Sequence, residues 1–238
     1  ASGLQITSDG RPKIVDVVDG TGSGDVDTST IVELKDGQLE GLTGRMLTVP
    51  DTWENPTGQW RIGLKSAWEL YPSPLVERMK SERRRAFDEE HRRLVAKASS
   101  ELESHRSLHD ELSDEQRRMR DELEGRVDRL ESLAQGYDDP GPVFDCVVFH
   151  DGTHWRGVID TDEDGSLAEE RVLTNYRLER EYGTFSDDDL LNFALNIYEE
   201  GDLLSIVVDA GNHGTHVAGT VAAHFPDQPD LDGVAPGA

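Results

Sequence analysis

Positive charge is scarce in this sequence: 24 Lys and Arg stand against 49 Asp and Glu, a formal net charge of −25 over 238 residues. Such a field repels phosphate backbones and anionic lipid, so neither nucleic acid nor a membrane surface is expected as a partner. Cysteine is almost missing. The single Cys146 excludes a disulfide within the chain and fits a reducing compartment; its place in an apolar run reads as core packing. No apolar run is long enough to span a bilayer. Only 35% of the residues are apolar and 31% are charged, which gives much of the length to loops and solvated helix faces, although the chain is long enough for a real core. The chain opens on Ala1 without an initiator Met and stops at GVAPGA, which reads as a piece of a longer protein, so a missing signal peptide carries no information.

The acidity is uneven. Residues 74–136 hold fourteen Lys/Arg and sixteen Asp/Glu, leaving ten against thirty-three elsewhere. In that segment Leu112, Met119, Leu123, Val127 and Leu130 recur at three-, four- and seven-residue steps, one apolar stripe on a helix. Ser113 followed by Gln116 can open that helix as a capping box. The expectation is a helical hairpin over 75–110 and 113–134. SERRRAFDEEHRR on its first arm interleaves acids with bases, so it reads as a solvated, salt-bridged face.

Either side of the hairpin the pattern is extended. KIVDVVD (13–19) alternates as a strand does, and STIVELKDGQLEGLTGRMLTVP (29–50) reads as two strands about Asp36-Gly37. QWRIGLKSAWEL (59–70) puts Trp60, Ile62 and Leu64 on one face. VFDCVVFHDGTHWRGVID (143–160) predicts a hairpin through Asp151-Gly152, and LLNFALNIYEEGDLLSIVVDA (190–210) another through Glu200-Gly201.

Three stretches invite a ligand and are read otherwise. GTGSGD (20–25) lacks the G-x-G-x-x-G spacing and a following helix, so it is a turn. DTDEDG (160–165) places Asp160, Asp162, Asp164 and Gly165 as a calcium loop would, but the twelfth position is Arg171 where a bidentate Glu belongs; an acidic turn is preferred. His150 and His154 flank a tight turn, which suits surface residues better than joint ligands.

The densest chemistry lies in DAGNHGTHVAGTVAAHF (209–225). His213 falls in the first turn of a helix, where the dipole disfavours imidazolium while a carboxylate partner favours it; the balance suits a general base near neutrality. Gly214, Ala218 and Ala222, four apart, form a side-chain-poor stripe that predicts close docking on a sheet, with Val217 and Val221 as an apolar ridge beside it. A zinc reading fails, because His213 and His216 are three apart with no Glu arranged as in H-E-x-x-H.

HGTHVAG (213–219) and GVAPGA (233–238) resemble, in order, the histidine motif of the subtilisin-like serine peptidases and the segment that follows it. The resemblance implies that His213 is the catalytic base and His216 structural. It also requires an Asp, an oxyanion-hole Asn and a nucleophilic Ser, and no Asn or Ser segment of that kind is found here. VVDGTG (17–22) approaches the family's aspartate motif, but Gly20 breaks it, leaving Asp19 a minor alternative. DGRPKIVDVVDGTGSGDVDTS (9–29), DPGPVFDCVVFHDGTHWRGVIDTDEDG (139–165) and NIYEEGDLLSIVVDAGNHGTHVA (196–218) resemble the long insertion between Asp and His in the tripeptidyl-peptidase branch of that family, which puts the true Asp upstream of Ala1.

The fold class expected is α/β with an α+β insertion: a β-hairpin-rich body and a long helical hairpin leading into the His-bearing helix of a subtilisin-like domain. The divisions expected are 1–72, 73–136, 137–208 and 209–238, the last opening the catalytic core. The resemblance implies a cytoplasmic, homo-oligomeric exopeptidase that takes tripeptides from free N-termini of oligopeptides, with no cofactor and no metal. A non-catalytic assembly or gating module is the alternative.

Overall fold

The computed structural model describes residues 2–108, 113–209 and 211–238. Two compact units are present, Ala1–Pro72 with Pro142–Ala238, and Ser73–Gly141. The first unit begins with β1 (Asp25–Asp27), β2 (Thr30–Val32), β3 (Gln38–Glu40), β4 (Met46–Thr48), β5 (Trp60–Ser66) and the short helix α1 (Ala67–Leu70). The second unit is α2 (Ser73–Leu108) and α3 (Asp114–Gln135). The first unit then resumes with β6 (Val143–His150), β7 (Trp155–Ile159), α4 (Tyr176–Glu179), β8 (Gly183–Thr184), β9 (Asn192–Tyr198), β10 (Leu203–Val208) and α5 (Asn212–Ala222). The mixture of helix and sheet expected from the sequence is observed.

Two antiparallel sheets, ordered β1-β10-β9-β8 and β2-β5-β6-β7, form the body, with β3-β4 as a separate ribbon. The sheets meet face to face at glycines. A Cβ on Gly63 would lie 2.6 Å from the Asp27 carbonyl oxygen, and one on Gly157 would lie 2.9 Å from Leu195 Cδ1. Strand β6 runs apolar without alternation because both of its faces are covered. Phe144 stacks on Phe185 toward one side, at 5.3 Å between centroids. Val147 and Phe149 point to the other, into a cluster with Leu39, Leu47, Trp60, Ile62 and Val158. Each such side chain, fully buried, contributes about 1.5–3 kcal/mol.

Both predicted hairpins form, β6 with β7 and β9 with β10. The expected face of β5 is present, but only Trp60 and Ile62 are buried on it. Leu64, at the far end beside Asp145, is exposed, and Lys65 on the opposite face is buried with its ammonium on the Asp25 carbonyl and Glu69.

Two expectations for the first seventy residues are corrected. KIVDVVD is not a strand. Its only backbone hydrogen bond among those of the described residues is at its start, where the Lys13 N–H donates to the Gln5 carbonyl at 3.1 Å; beyond that the Asn196 side chain donates to the Val17 carbonyl at 2.6 Å, and Ile14, Val15 and Val18 stay exposed. The Asp36-Gly37 turn does form, with positive φ at both residues, but its two arms part after the Lys35–Gln38 bridge. Strand β2 pairs with β5, while β3 pairs with β4 through a second turn at 41–45.

In the second unit the capping box at Ser113 and Gln116 is complete. Ala98 and Leu102 of α2 are buried, and Leu123, Val127 and Leu130 of α3 are half-buried, whereas Met119 is exposed. Leu112 lies outside the described residues. His91 donates from Nε2 to the Leu130 carbonyl at 2.6 Å. At the open end Phe87 stacks on Tyr137 at 4.2 Å with Arg84 over the tyrosine ring. The arginine-rich stretch is laced by Arg84–Asp88 and Arg93–Glu89 pairs four apart, as its alternating charges predict.

Candidate active site

Strand β10 delivers the chain to α5. Four of its six residues, 204–207, are buried inside the body, and the strand ends as Asp209 takes the Gly211 N–H on Oδ1 at 3.3 Å. Gly211 is extended and α5 begins at Asn212 without a side-chain cap, so His213 is the second residue of the helix. Its first-turn N–H groups and dipole therefore remain open at the end that carries the imidazole.

His213 and His216 are both exposed. Among the described residues, no carboxylate is hydrogen-bonded to His213. Asp19, the minor alternative for a partner, is engaged in its own loop: Oδ1 accepts from the Thr21 N–H and hydroxyl, and Oδ2 from the Gly24 N–H at 2.8 Å. Those bonds, the Thr21 hydroxyl foremost, bring its carboxyl down to about 2. Of the glycines of that loop, Gly24 is required by packing and Gly22 sits at a positive φ, while a Cβ on Gly20 would meet nothing within 4 Å. A Cβ on Gly24 would fall 1.8 Å from the Ile206 carbonyl oxygen of β10.

The docking expected of α5 is not what is found. No residue of α5 is buried, and Val217 and Val221 are 47% and 48% exposed. Gly214, Ala218 and Ala222 line a cleft of about 400 Å3 whose other wall is Leu4, Lys13, Ile14 and Ala238. The stripe thus faces the N-terminal segment across a gap and not a sheet. A Cβ on Gly214 or Gly219 would meet nothing within 4 Å.

What anchors α5 is its C-terminal end. The GVAPGA segment turns back on the helix, and Gly233, Val234 and Ala235 donate their N–H groups to the carbonyls of Ala223, Thr220 and Val221 at 2.8, 3.3 and 2.7 Å. Carbonyls that a helix end leaves unpaired are satisfied in this way. Lys13 fixes the returning chain from outside, with Nζ 2.8 Å from the carbonyl oxygens of both Pro236 and Ala238. His224 N–H donates to Gly3 O at 2.8 Å, and Gly3 lies so close to the Phe225 ring that a Cβ would be 2.7 Å from it. Sequence reasoning missed the pair beside these contacts, His224 and Asp232. Asp232 Oδ1 accepts the Phe225 N–H at 2.6 Å, and Oδ2 lies 3.4 Å from His224 Nδ1. The Phe225 N–H, with help from His224, holds the Asp232 carboxyl below the usual carboxylate range.

The acidic loop after β7 is built round a guanidinium. Asp160, Asp162 and Asp164 bring carboxylate oxygens within 4.8 Å of one another, but Asp160 is buried and accepts from Arg45 Nη1 at 3.0 Å and the Gly165 N–H at 3.3 Å. Asp162 takes the Asp164 N–H and Asp164 the Ser166 N–H. His150 Nδ1 accepts the Gly152 N–H at 3.0 Å and its ring stands edge-on to Trp155, while His154 donates its N–H to Asp151. Both imidazoles are half-buried rather than fully on the surface.

Comparison with known proteins agrees with these local motifs. The family model described as the subtilase family matches residues 102–238. Tripeptidyl-peptidase 2 of Arabidopsis thaliana is 48% identical over 100% of this chain, and that of Caenorhabditis elegans 39% identical over 99% of it. The chain spans only 18% and 17% of those two proteins. A crystal structure of Tripeptidyl Peptidase 2 superposes on 100% of this chain and 18% of its own with a TM-score of 0.69 at 23% identity, a likeness of fold.

Proposed function

The chain belongs to the subtilase family, and from that premise we propose that it is one segment of a serine exopeptidase that releases tripeptides from the free N-termini of oligopeptides. Residues 1–72 and 137–208 are the β-rich parts of an insertion, 73–136 its helical hairpin, and 209–238 the start of the catalytic core. His213 is the general base. It takes the proton of a serine hydroxyl as that oxygen attacks the peptide carbonyl, and returns it to the leaving amine. The serine, the oxyanion-hole donor and the aspartate that orients His213 belong to parts of the protein outside residues 1–238. The enzyme uses no cofactor or metal, and it works as a cytoplasmic homo-oligomer.

One observation carries this reading: His213 stands exposed in the first turn of α5 while the GVAPGA segment closes on that helix's last turn. An imidazole there has water and substrate within reach, and its backbone is held from the other end. The long strand-free hairpin of α2 and α3 favours a second role beside catalysis, since it is a compact unit of its own and offers exposed Leu94, Met119 and Leu133 to a neighbour or a gate.

Residues 1–238 by themselves have no peptidase activity on this reading. Incubated with a tripeptide-releasing fluorogenic substrate, they give the background rate. Turnover above background that His213→Ala abolishes would refute the assignment of the serine and aspartate to other parts of the protein.

A further inference from the structure

We propose that Arg45, Asp145 and Asp160 form a proton-operated latch between the turn at 41–45, strand β6 and the loop after β7, tight while Asp160 carries a proton and loosened as that proton leaves. The latch lies within the first unit, and it stands apart from the reading of His213.

Asp145 and Asp160 have no exposed surface, and whatever packs on this unit from outside residues 1–238 only adds to that enclosure. The Asp160 N–H donates to the Asp145 carbonyl at 3.0 Å, so the two stand opposite each other across β6 and the end of β7. Both carboxyls meet the same Arg45 nitrogen, at 3.2 and 3.0 Å. Two carboxylates on one guanidinium leave a negative charge buried in excess, which is costly. One proton removes it.

The donors decide which carboxyl takes the proton. Besides Arg45, Asp145 accepts the Thr43 N–H at 3.2 Å and the Thr43 hydroxyl. Among the described residues Asp160 has, besides Arg45, the Gly165 N–H alone, at a longer 3.3 Å. Burial pushes the Asp160 carboxyl up, and Asp162 adds a like charge beside it. The folded chain therefore binds this proton more readily than the unfolded one. The stabilisation is complete below 3.8 and is lost as pH rises through the higher folded value.

Other charged groups face the cluster. Arg45 Nη2 also meets Glu163 at 3.3 Å, and Asp164 lies on the same loop. Lys65, on β5, is engaged by the Asp25 carbonyl and Glu69, and the Cys146 thiol of β6 is pushed far up by burial. Glu170 is the rival for the proton: burial pushes its carboxyl up as well, while it accepts the Thr161 N–H at 2.6 Å.

The latch holds the join between the β3-β4 ribbon and the loop. The Thr48 N–H donates to the Gly165 carbonyl at 2.7 Å, and the Leu167 N–H to the Thr48 carbonyl at 3.1 Å. The fit is close, since a Cβ on Gly165 would lie 2.5 Å from the Met46 carbonyl oxygen and one on Gly41 2.6 Å from Asp145 Oδ1. A second negative charge drives the two carboxylates apart, and with them Gly41 and Gly165, which rest against or bond to them.

The test is hydrogen–deuterium exchange of the full-length protein between about pH 5 and about pH 8, corrected for the intrinsic rate at each pH. The Thr48 and Leu167 amides lose about fivefold or more of their protection as pH rises. In Asp160→Asn, which carries no charge at either pH, the protection does not change with pH, and Glu170→Gln keeps the parent's dependence. Protection in the parent that is independent of pH overturns the latch. So does a dependence that survives in Asp160→Asn, or one that Glu170→Gln abolishes. A readout free of exchange is the infrared carbonyl band of a protonated carboxyl in the pH difference spectrum of the parent, absent from that of Asp160→Asn. Should Asp160→Asn fail to fold, that band alone decides: a parent spectrum without it overturns the proposal, and one that keeps it in Glu170→Gln supports it.

Discussion

Asp145, wholly buried on β6, is met by Arg45 through Nη1 at 3.2 Å. The same nitrogen reaches the equally buried Asp160 at 3.0 Å, and the Thr43 N–H and hydroxyl complete the hydrogen bonding of Asp145. One guanidinium therefore serves two enclosed carboxylates, and burial pushes the Asp160 carboxyl up despite it. Arg45→Met leaves both without their cation and lowers stability by about 3 kcal/mol or more. Urea denaturation at neutral pH measures this, and Arg45→Lys, which keeps charge without the planar fork, recovers part of the loss.

Asp151 gives a prediction that depends on pH. Burial pushes its carboxyl up, but the His154 N–H, the Arg156 guanidinium and the Thr153 N–H together bring it down to about 2 from 3.8. The unfolded chain thus binds the proton more readily than the folded one. The contribution is complete above 3.8 and is lost as pH falls through about 2. At pH 7 it amounts to about 2 kcal/mol. Asp151→Asn is accordingly less stable than the parent at neutral pH, and the gap in denaturation midpoint narrows between pH 5 and pH 2. A gap that stays constant over that range contradicts the assignment.

Cys146 is enclosed between the sheets with no exposed surface, and burial pushes its thiol far above the ordinary range. Thiolate is the reactive form. Ellman's reagent consequently finds no thiol in the folded protein and one per chain in denaturant, at the rate of unfolding. Rapid labelling under native conditions would show that β6 is not packed on both faces.

Much of the fold could be read from local pattern. The hairpins of β6 with β7 and β9 with β10 announce themselves through apolar runs on either side of a tight turn, and α3 through its capping box. All of these depend on residues a few positions apart. The failures depend on distance along the chain. KIVDVVD has a strand's alternation, but alternation cannot supply a neighbour, and the edge of β10 is taken by β1. Leu64 alternates correctly and is still exposed at the Asp145 end of the strand. Arg45 pairs with residues 100 and 115 positions away, and no spacing rule points from one to the other. At the site, the first-turn position of His213 was legible, since seven consecutive residues determine it. How α5 is held was not: its small-residue stripe suggested docking on a sheet, whereas the contacts found join residues 3, 13 and 232–238.

The most direct measurement is the turnover of a tripeptide-releasing substrate by the full-length protein carrying His213→Ala, with circular dichroism to show that it folds. As general base, His213 is worth about 10⁴-fold or more in kcat, and the variant that lacks it is expected to keep its fold. A folded variant whose kcat stays within about tenfold of the parent contradicts the assignment of His213 as the base.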